Sequence, residues 1–138
     1  MLLGFKKRFK SPIQLGTKVF TMRKKRKREP KIGETMYMYT GLRTNQCEKI
    51  SDKEKLKSTQ NVTVFISQVK NQRILTIKVD SRHLTYNEIR VFVGFDGFSN
   101  IDDFIDYWLA SELKTKSKIK TVRITATLTL FHWTDLRY

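Results

Sequence analysis

The stretch Thr121-Val122-Arg123-Ile124-Thr125-Ala126-Thr127-Leu128-Thr129-Leu130 alternates strictly between polar and apolar side chains. Successive residues of an extended chain point to opposite faces, so this period of two predicts a long strand with one buried and one wet face. Residues 62–69 and 74–79, rich in Val, Ile, Thr and Phe, read as two arms of a hairpin around Lys70-Asn71-Gln72-Arg73. Turns at Glu29-Pro30 and Ile32-Gly33-Glu34 precede a further strand over residues 36–40. If residues 19–23 are extended, Phe20 and Met22 share one face, while Thr21 and Arg23 share the other, beside Lys18.

Helical signals are fewer. Ile101, Phe104, Ile105, Trp108 and Leu109 fall at helical spacing, with Asp102, Asp103 and Asp106 between them, which predicts a helix over 99–113 capped by Ser99 and Asp102. Phe5, Phe9 and Ile13 lie four residues apart, consistent with a short helix ahead of Gly16. Residues 41–60 are polar and turn-rich and are expected to form a variable connection across the surface. The expected class is α+β, β-dominated, in one domain over 1–138, a length sufficient to bury a core.

The 28 Lys+Arg against 13 Asp+Glu give a formal net charge of +15, and its distribution is uneven. Residues 1–31 hold twelve basic side chains and a single acid, Glu29. Most of the surplus therefore sits in the first quarter of the chain. At 39% hydrophobic and 12% aromatic residues, the chain is too apolar for a disordered basic tail. One cysteine, Cys47, cannot staple the fold, which suits a reducing, cytoplasmic setting. His83 and His132 show no ligand spacing, so no metal or cofactor is expected. No apolar run approaches membrane-spanning length, and no membrane partner is expected.

The run Arg23-Lys24-Lys25-Arg26-Lys27-Arg28, within a basic loop over 23–31, is the most conspicuous feature. Six adjacent cations repel one another, and an external polyanion that releases its counterions on binding relieves that repulsion. Nucleic acid is the leading partner; a solvated loop kept basic for solubility and a nuclear-localisation signal match the same letters. Tyr37 and Tyr39, on one strand face, are candidates for stacking on bases, whereas Tyr107 and Trp108 continue an apolar stripe and read as core. Hydrolase and phosphate-loop motifs are absent from the sequence.

One longer pattern goes further. Phe9-x-x-x-Ile13-x-x-Gly16-Thr17-Lys18-Val19-Phe20-Thr21-Met22-Arg23, followed by Gly33-Glu34 and a strand, resembles the signature of the ASCH superfamily. Asp96-Gly97-Phe98-Ser99 entering a helix and the closing His132-Trp133-Thr134-Asp135-Leu136-Arg137-Tyr138 resemble a bacterial and phage-associated branch. The resemblance implies a PUA-like fold, a small antiparallel β-barrel with flanking helices and a side cleft. It also implies a role in binding RNA, a nucleotide or a nucleoside, in RNA metabolism or modification. Some members are hydrolases, among them a nuclease and small amidohydrolases acting on N4-acetylcytidine. In the latter the motif lysine and threonine, with a glutamate before the helix, form the reactive centre. Those roles fall on Lys18, Thr21 and Asp96, the last one methylene shorter than Glu, with Arg23 at the motif arginine. Arg43, in a Gly41-Leu42-Arg43-Thr44 turn, matches a further family position.

Independently of the family, a threonine hydroxyl needs a base to become a nucleophile, and a lysine serves as one when burial or neighbouring cations depress its pKa. Together with the resemblance, these readings leave three expectations. The first is an RNA- or nucleotide-binding module with a ligand cleft at Lys18, Thr21, Arg23 and Asp96, and with the basic run along the phosphates. The second is an amidohydrolase acting on N4-acylated cytidine, and the third a phage or mobile-element protein that binds a host factor.

Overall fold

The computed structural model describes residues 1–113 and 121–138. Among the described residues there are eight strands: β1 (Leu2–Phe5), β2 (Phe20–Arg23), β3 (Tyr37–Thr40), β4 (Glu48–Ser51), β5 (Ser58–Val69), β6 (Gln72–Val79), β7 (Arg82–His83) and β8 (Thr121–His132). Three α-helices accompany them, α1 (Lys10–Leu15), α2 (Tyr86–Phe95) and α3 (Ile101–Leu113), with a 3-10 turn at Lys7–Phe9 ahead of α1. The strands form two sheets, in the orders β1-β3-β4 and β2-β8-β5-β6-β7.

The α+β class expected from the sequence is present, but the closed β-barrel is not: both sheets are open. The arrangement at the β1 edge gives a physical reason. The edge carbonyls of Leu2 and Gly4, two residues apart and so on the same side of the strand, accept hydrogen bonds from guanidinium groups. Arg23 Nη2 donates to Gly4 O at 2.6 Å and Arg26 Nη2 to Leu2 O at 3.0 Å. Side chains from the end of β2 and the following loop thus occupy positions where a closing strand would bond, and they cover an edge that would otherwise be free to pair.

The central pairing is β5 with β8, twelve residues in antiparallel register from Ser58↔His132 to Val69↔Thr121. The alternation that predicts β8 holds: Leu128 and Leu130 are buried, while Thr121, Arg123, Thr125 and Thr127 are exposed. The hairpin also forms, with a tighter turn than expected, because β6 begins at Gln72 and only Lys70 and Asn71 lie outside the ladder. Lys70 has a positive φ of 55°, as a tight two-residue turn favours.

Three local expectations are corrected. The run 41–60 is not a simple connection, since Glu48–Ser51 pairs with β3 and β5 begins at Ser58. A helix does precede Gly16, but residues 2–5 form a strand parallel to β3, and only Lys10–Leu15 is α-helical. The cap of α3 lies one residue later than expected: Asn100 Oδ1 accepts from the Asp103 N–H, and Asp103 Oδ2 from the Ser99 N–H.

Helix α2 was not anticipated. It starts with a capping box, Thr85 accepting from the Glu88 N–H while Glu88 accepts from the Thr85 N–H, and it buries Ile89, Phe92 and Val93. Phe92 meets Phe20 of β2 at 4.8 Å between ring centroids. On α3, Asp102 and Asp106 both engage Arg73 of β6, which ties that helix to the same sheet face.

Helix α2 ends in a sharp reversal that packs against the start of the chain. Gly97 N–H donates to Gly94 O and Phe98 N–H to Val93 O, each at 3.0 Å, the two reversed bonds of a Schellman motif. Gly97 has φ +95°, and a Cβ there would come within 3.0 Å of the Phe9 ring and 3.2 Å of Lys18 Cδ. Gly16, which ends α1 with φ +80°, has open space around its missing Cβ. Gly16→Ala should therefore cost about 1 kcal/mol from backbone strain alone, and Gly97→Ala roughly 2–4 kcal/mol, since packing strain is added. Urea denaturation of the two variants measures the difference.

His132, at 0% exposure, offers a second measurement. Gln60 Nε2 donates to Asp80 Oδ2 and to Tyr138 O, which leaves Gln60 Oε1 to accept from His132 Nε2 at 3.1 Å. Burial, with a smaller contribution from nearby Arg137, lowers the His132 pKa from 6.5 to about 4. Between those values the unfolded chain takes up a proton that the folded chain does not, so stability falls as pH drops from 6.5 to 4. The loss should reach about 3 kcal/mol, and His132→Gln should flatten the profile across that window.

Candidate functional site

The chain leaves α1 through Gly16 and turns back on Pro12, whose carbonyl accepts from the N–H groups of both Thr17 and Lys18. Val19 N–H then bonds Phe95 O at the end of α2, so the start of β2 is fixed against the α2 terminus. This places Lys18 beside Asp96, 78 residues away in sequence. Lys18 Nζ donates to Asp96 Oδ1 at 2.6 Å and to the Asp96 carbonyl at 2.7 Å. The second bond puts a cation at a helix C-terminus, where the peptide dipoles favour it.

A cavity of about 360 Å³ opens at this pair. Lys18, Thr21, Arg23 and Asp96 supply its polar groups, and Phe5, Phe9, Phe98, Tyr107 and Trp108 supply aromatic surface. All four polar residues that the sequence singles out for one cleft are thus brought together. Thr21 and Arg23 share a face as the alternation requires, with Arg23 Nε donating to Thr21 Oγ1 at 3.2 Å. The guanidinium also stacks on Phe5, its central carbon 4.7 Å from the ring centroid. Lys18 Nζ lies 4.8 Å from the Phe9 centroid, within cation–π range.

Burial dominates the electrostatics. It pushes the Lys18 ammonium below its ordinary pKa and the Asp96 carboxyl above its own, while each charge opposes the other's shift. Arg23 further lowers Lys18. The two groups move toward each other in proton affinity, so Lys18 gives up its proton more readily than a surface lysine does.

The basic run divides by residue type. Arg23 lines the cavity and bonds Gly4, Arg26 bonds Leu2, and Arg28 pairs with Glu34. Glu34 also accepts from the Lys31 N–H, and these contacts, led by the Arg28 bond, lower its pKa to about 2. Lys24, Lys25 and Lys27 are exposed. The planar guanidinium fork suits fixed carbonyl and carboxylate acceptors, whereas the lysines keep hydrated ammonium groups in solvent. Arg28 is exposed as well, but its guanidinium is engaged by Glu34, whereas the three lysines face outward.

Other predicted site residues lie elsewhere. Tyr37 is exposed and Tyr39 half-buried on β3, and neither lines the cavity. Arg43 is exposed, with φ 64° in a turn where Thr44 Oγ1 bonds Gly41 O. Tyr107 and Trp108, expected as core, do pack against it, but they are half-buried and line the cavity as well. Phe5, Phe9 and Phe98 were not anticipated there. Their signal is non-local, because they come from β1, the 3-10 turn and the α2–α3 junction.

No family model, curated protein or solved structure matches the chain. Among the described residues, no helix is long and apolar enough to cross a membrane.

Lys18→Met should leave a buried carboxylate without its partner, at a cost of about 3–5 kcal/mol. Lys18→Met/Asp96→Asn removes both charges and should recover at least half of that loss. Equal losses in the single and double variants, read from urea denaturation, would show that the pair is not coupled.

Proposed function

We propose that the chain is an ASCH-type module that binds single-stranded RNA, holding one unstacked base in the aromatic cavity and phosphates on the outward lysines of the basic loop. The observation that carries this reading is the convergence of Lys18, Thr21, Arg23 and Asp96 with five aromatic side chains in one cavity of about 360 Å³. A base needs flat apolar surface for its ring and a few fixed polar groups for its edge, and such a cavity supplies both. The motif residues support this module, while the open sheets exclude the barrel. Lys24, Lys25 and Lys27 lie immediately after the cavity residue Arg23, so a strand entering the cavity meets cations at its rim.

A second reading is favoured by one observation, the placement of the buried Lys18, Thr21 and Asp96 in one cavity, where burial also lowers the Lys18 pKa. In an amidohydrolase acting on N4-acylated cytidine, neutral Lys18 would take the Thr21 hydroxyl proton as the oxygen adds to the acyl carbon. The C–N bond would then break, the cytidine amine leaving with that proton, and water would hydrolyse the threonine ester. Thr21 Oγ1 already accepts from Arg23, which lowers the energy of its developing negative charge.

Binding of a labelled oligouridylate should weaken with salt. Replacing Lys24, Lys25 and Lys27 together by Gln should reduce the log–log slope by about 2, the value for three phosphate contacts on a single strand. A slope unchanged by the triple substitution would remove these lysines from the interface. Incubation with N4-acetylcytidine separates the two readings: cytidine release by the wild type and none by Thr21→Ala would establish turnover.

A further inference from the structure

Among the described residues, the outer face of the five-stranded sheet carries exposed or half-buried side chains along β8 from Thr121 to Thr129. Strand register fixes which side chains share it. Arg23 stands opposite Thr129, Thr127 opposite Thr63 and hence Lys78, and Thr125 opposite Phe65 and hence Thr76. Phe65 is half-buried, does not pack on the hydrophobic core, and has no aromatic contact among the described residues. Threonines flank it on both neighbouring strands, and the exposed apolar side chains of this face, Ile74 and Val69, lie toward the hairpin end, so Phe65 is the one accessible ring between them and the buried Phe131.

Charge on this face has one sign. The ionisable side chains that the strands place there are Arg23, Lys78, His83 and Arg123, with no carboxylate among them. A nearby acid, Asp80, sits at the turn after β6, where its carboxylate is held by Gln60 Nε2 and the Asn61 N–H. The face is also continuous with the cavity, because Arg23 belongs to both. Beyond Arg23 the antiparallel register directs the chain toward the Thr127 end of β8, which places the start of the lysine loop alongside the exposed part of the face.

We propose that this sheet face carries the nucleotides flanking the base held in the cavity, with Phe65 as a stacking platform and Lys78 and Arg123 as phosphate contacts. The inference rests on the RNA-binding reading above and adds a path and a length to it. Threonine hydroxyls suit such a path, since each both donates and accepts hydrogen bonds and adds no charge. A partly exposed aromatic ring among separated cations is the combination that holds single strands without regard to sequence.

The test compares fluorescein-labelled oligouridylates of three and about ten nucleotides, at one fixed salt concentration, by fluorescence anisotropy. The longer strand should bind the wild type more tightly. Phe65→Ala should weaken the longer strand about tenfold, as expected for one lost stacking contact. Lys78→Glu/Arg123→Glu should weaken it at least as much, and both variants should leave the trinucleotide unchanged. Thr125→Lys, which adds a cation beside Phe65, should tighten the longer strand and guards against a loss caused by misfolding. Unaltered binding of the longer strand by all three variants would overturn the path while leaving the cavity reading intact. Failure of the wild type to bind either length would overturn both.

Discussion

Lys18 and Asp96 form the contact on which the rest of the site depends. Each is almost wholly buried, and neither could stay charged there without the other. Their juxtaposition requires three local structures at once. Gly16 must reverse the chain after α1, Gly97 must reverse it after α2, and the missing Cβ of Gly97 must leave room for the lysine stem. Because Lys18 bonds the Asp96 backbone as well as its carboxylate, it also satisfies an α2 terminal carbonyl. Buried charge and helix termination are thus one feature. A change at either glycine acts on the site chemistry, although neither glycine has a functional group.

The arginines of the basic run have an equally structural part. Their forked donors tie the loop to the β1 edge and to Glu34, and they occupy the edge carbonyls to which a closing strand would bond. The open arrangement has a functional counterpart. The cavity draws its aromatic surface from β1, from the turn before α1, from the α2–α3 junction and from α3, elements that stand beside β2 where no further strand pairs with it. Aromatic rings gathered from four parts of the chain make a surface that no single amphipathic element would provide.

Legibility in the sequence tracks the range of the interactions. Strand β8 and the β5–β6 hairpin were legible because a period of two, sustained over many residues, has one structural meaning. The Lys18-Thr21-Arg23 geometry was legible for the same reason on a shorter scale, and the resemblance supplied Asp96. Strand β1 was not, since Phe5, Phe9 and Ile13 at four-residue spacing mimic a helix while Phe5 actually ends a strand. Helix α2 carried a capping box at Thr85 and Glu88, but Tyr86 and Val91 on its exposed side blur the apolar stripe. Sheet closure was beyond local pattern altogether, because guanidinium side chains rather than strand propensities occupy the edge. The same holds for the division of the basic run, where arginine and lysine count equally as charge but differ in donor geometry.

The tethers on the basic loop bear on the entropy of association. Arg23, Arg26 and Arg28 anchor the loop at intervals of two or three residues, so Lys24, Lys25 and Lys27 are carried on short spans between fixed points. Ordering a residue of free backbone costs about 1–2 kcal/mol, and here much of that ordering accompanies folding. A polyanion arriving at the loop would therefore immobilise lysine side chains and little main chain. The alternation of arginine with lysine makes the segment a preorganised comb of charges, whereas six lysines in its place would form a tether that must be ordered anew at each encounter.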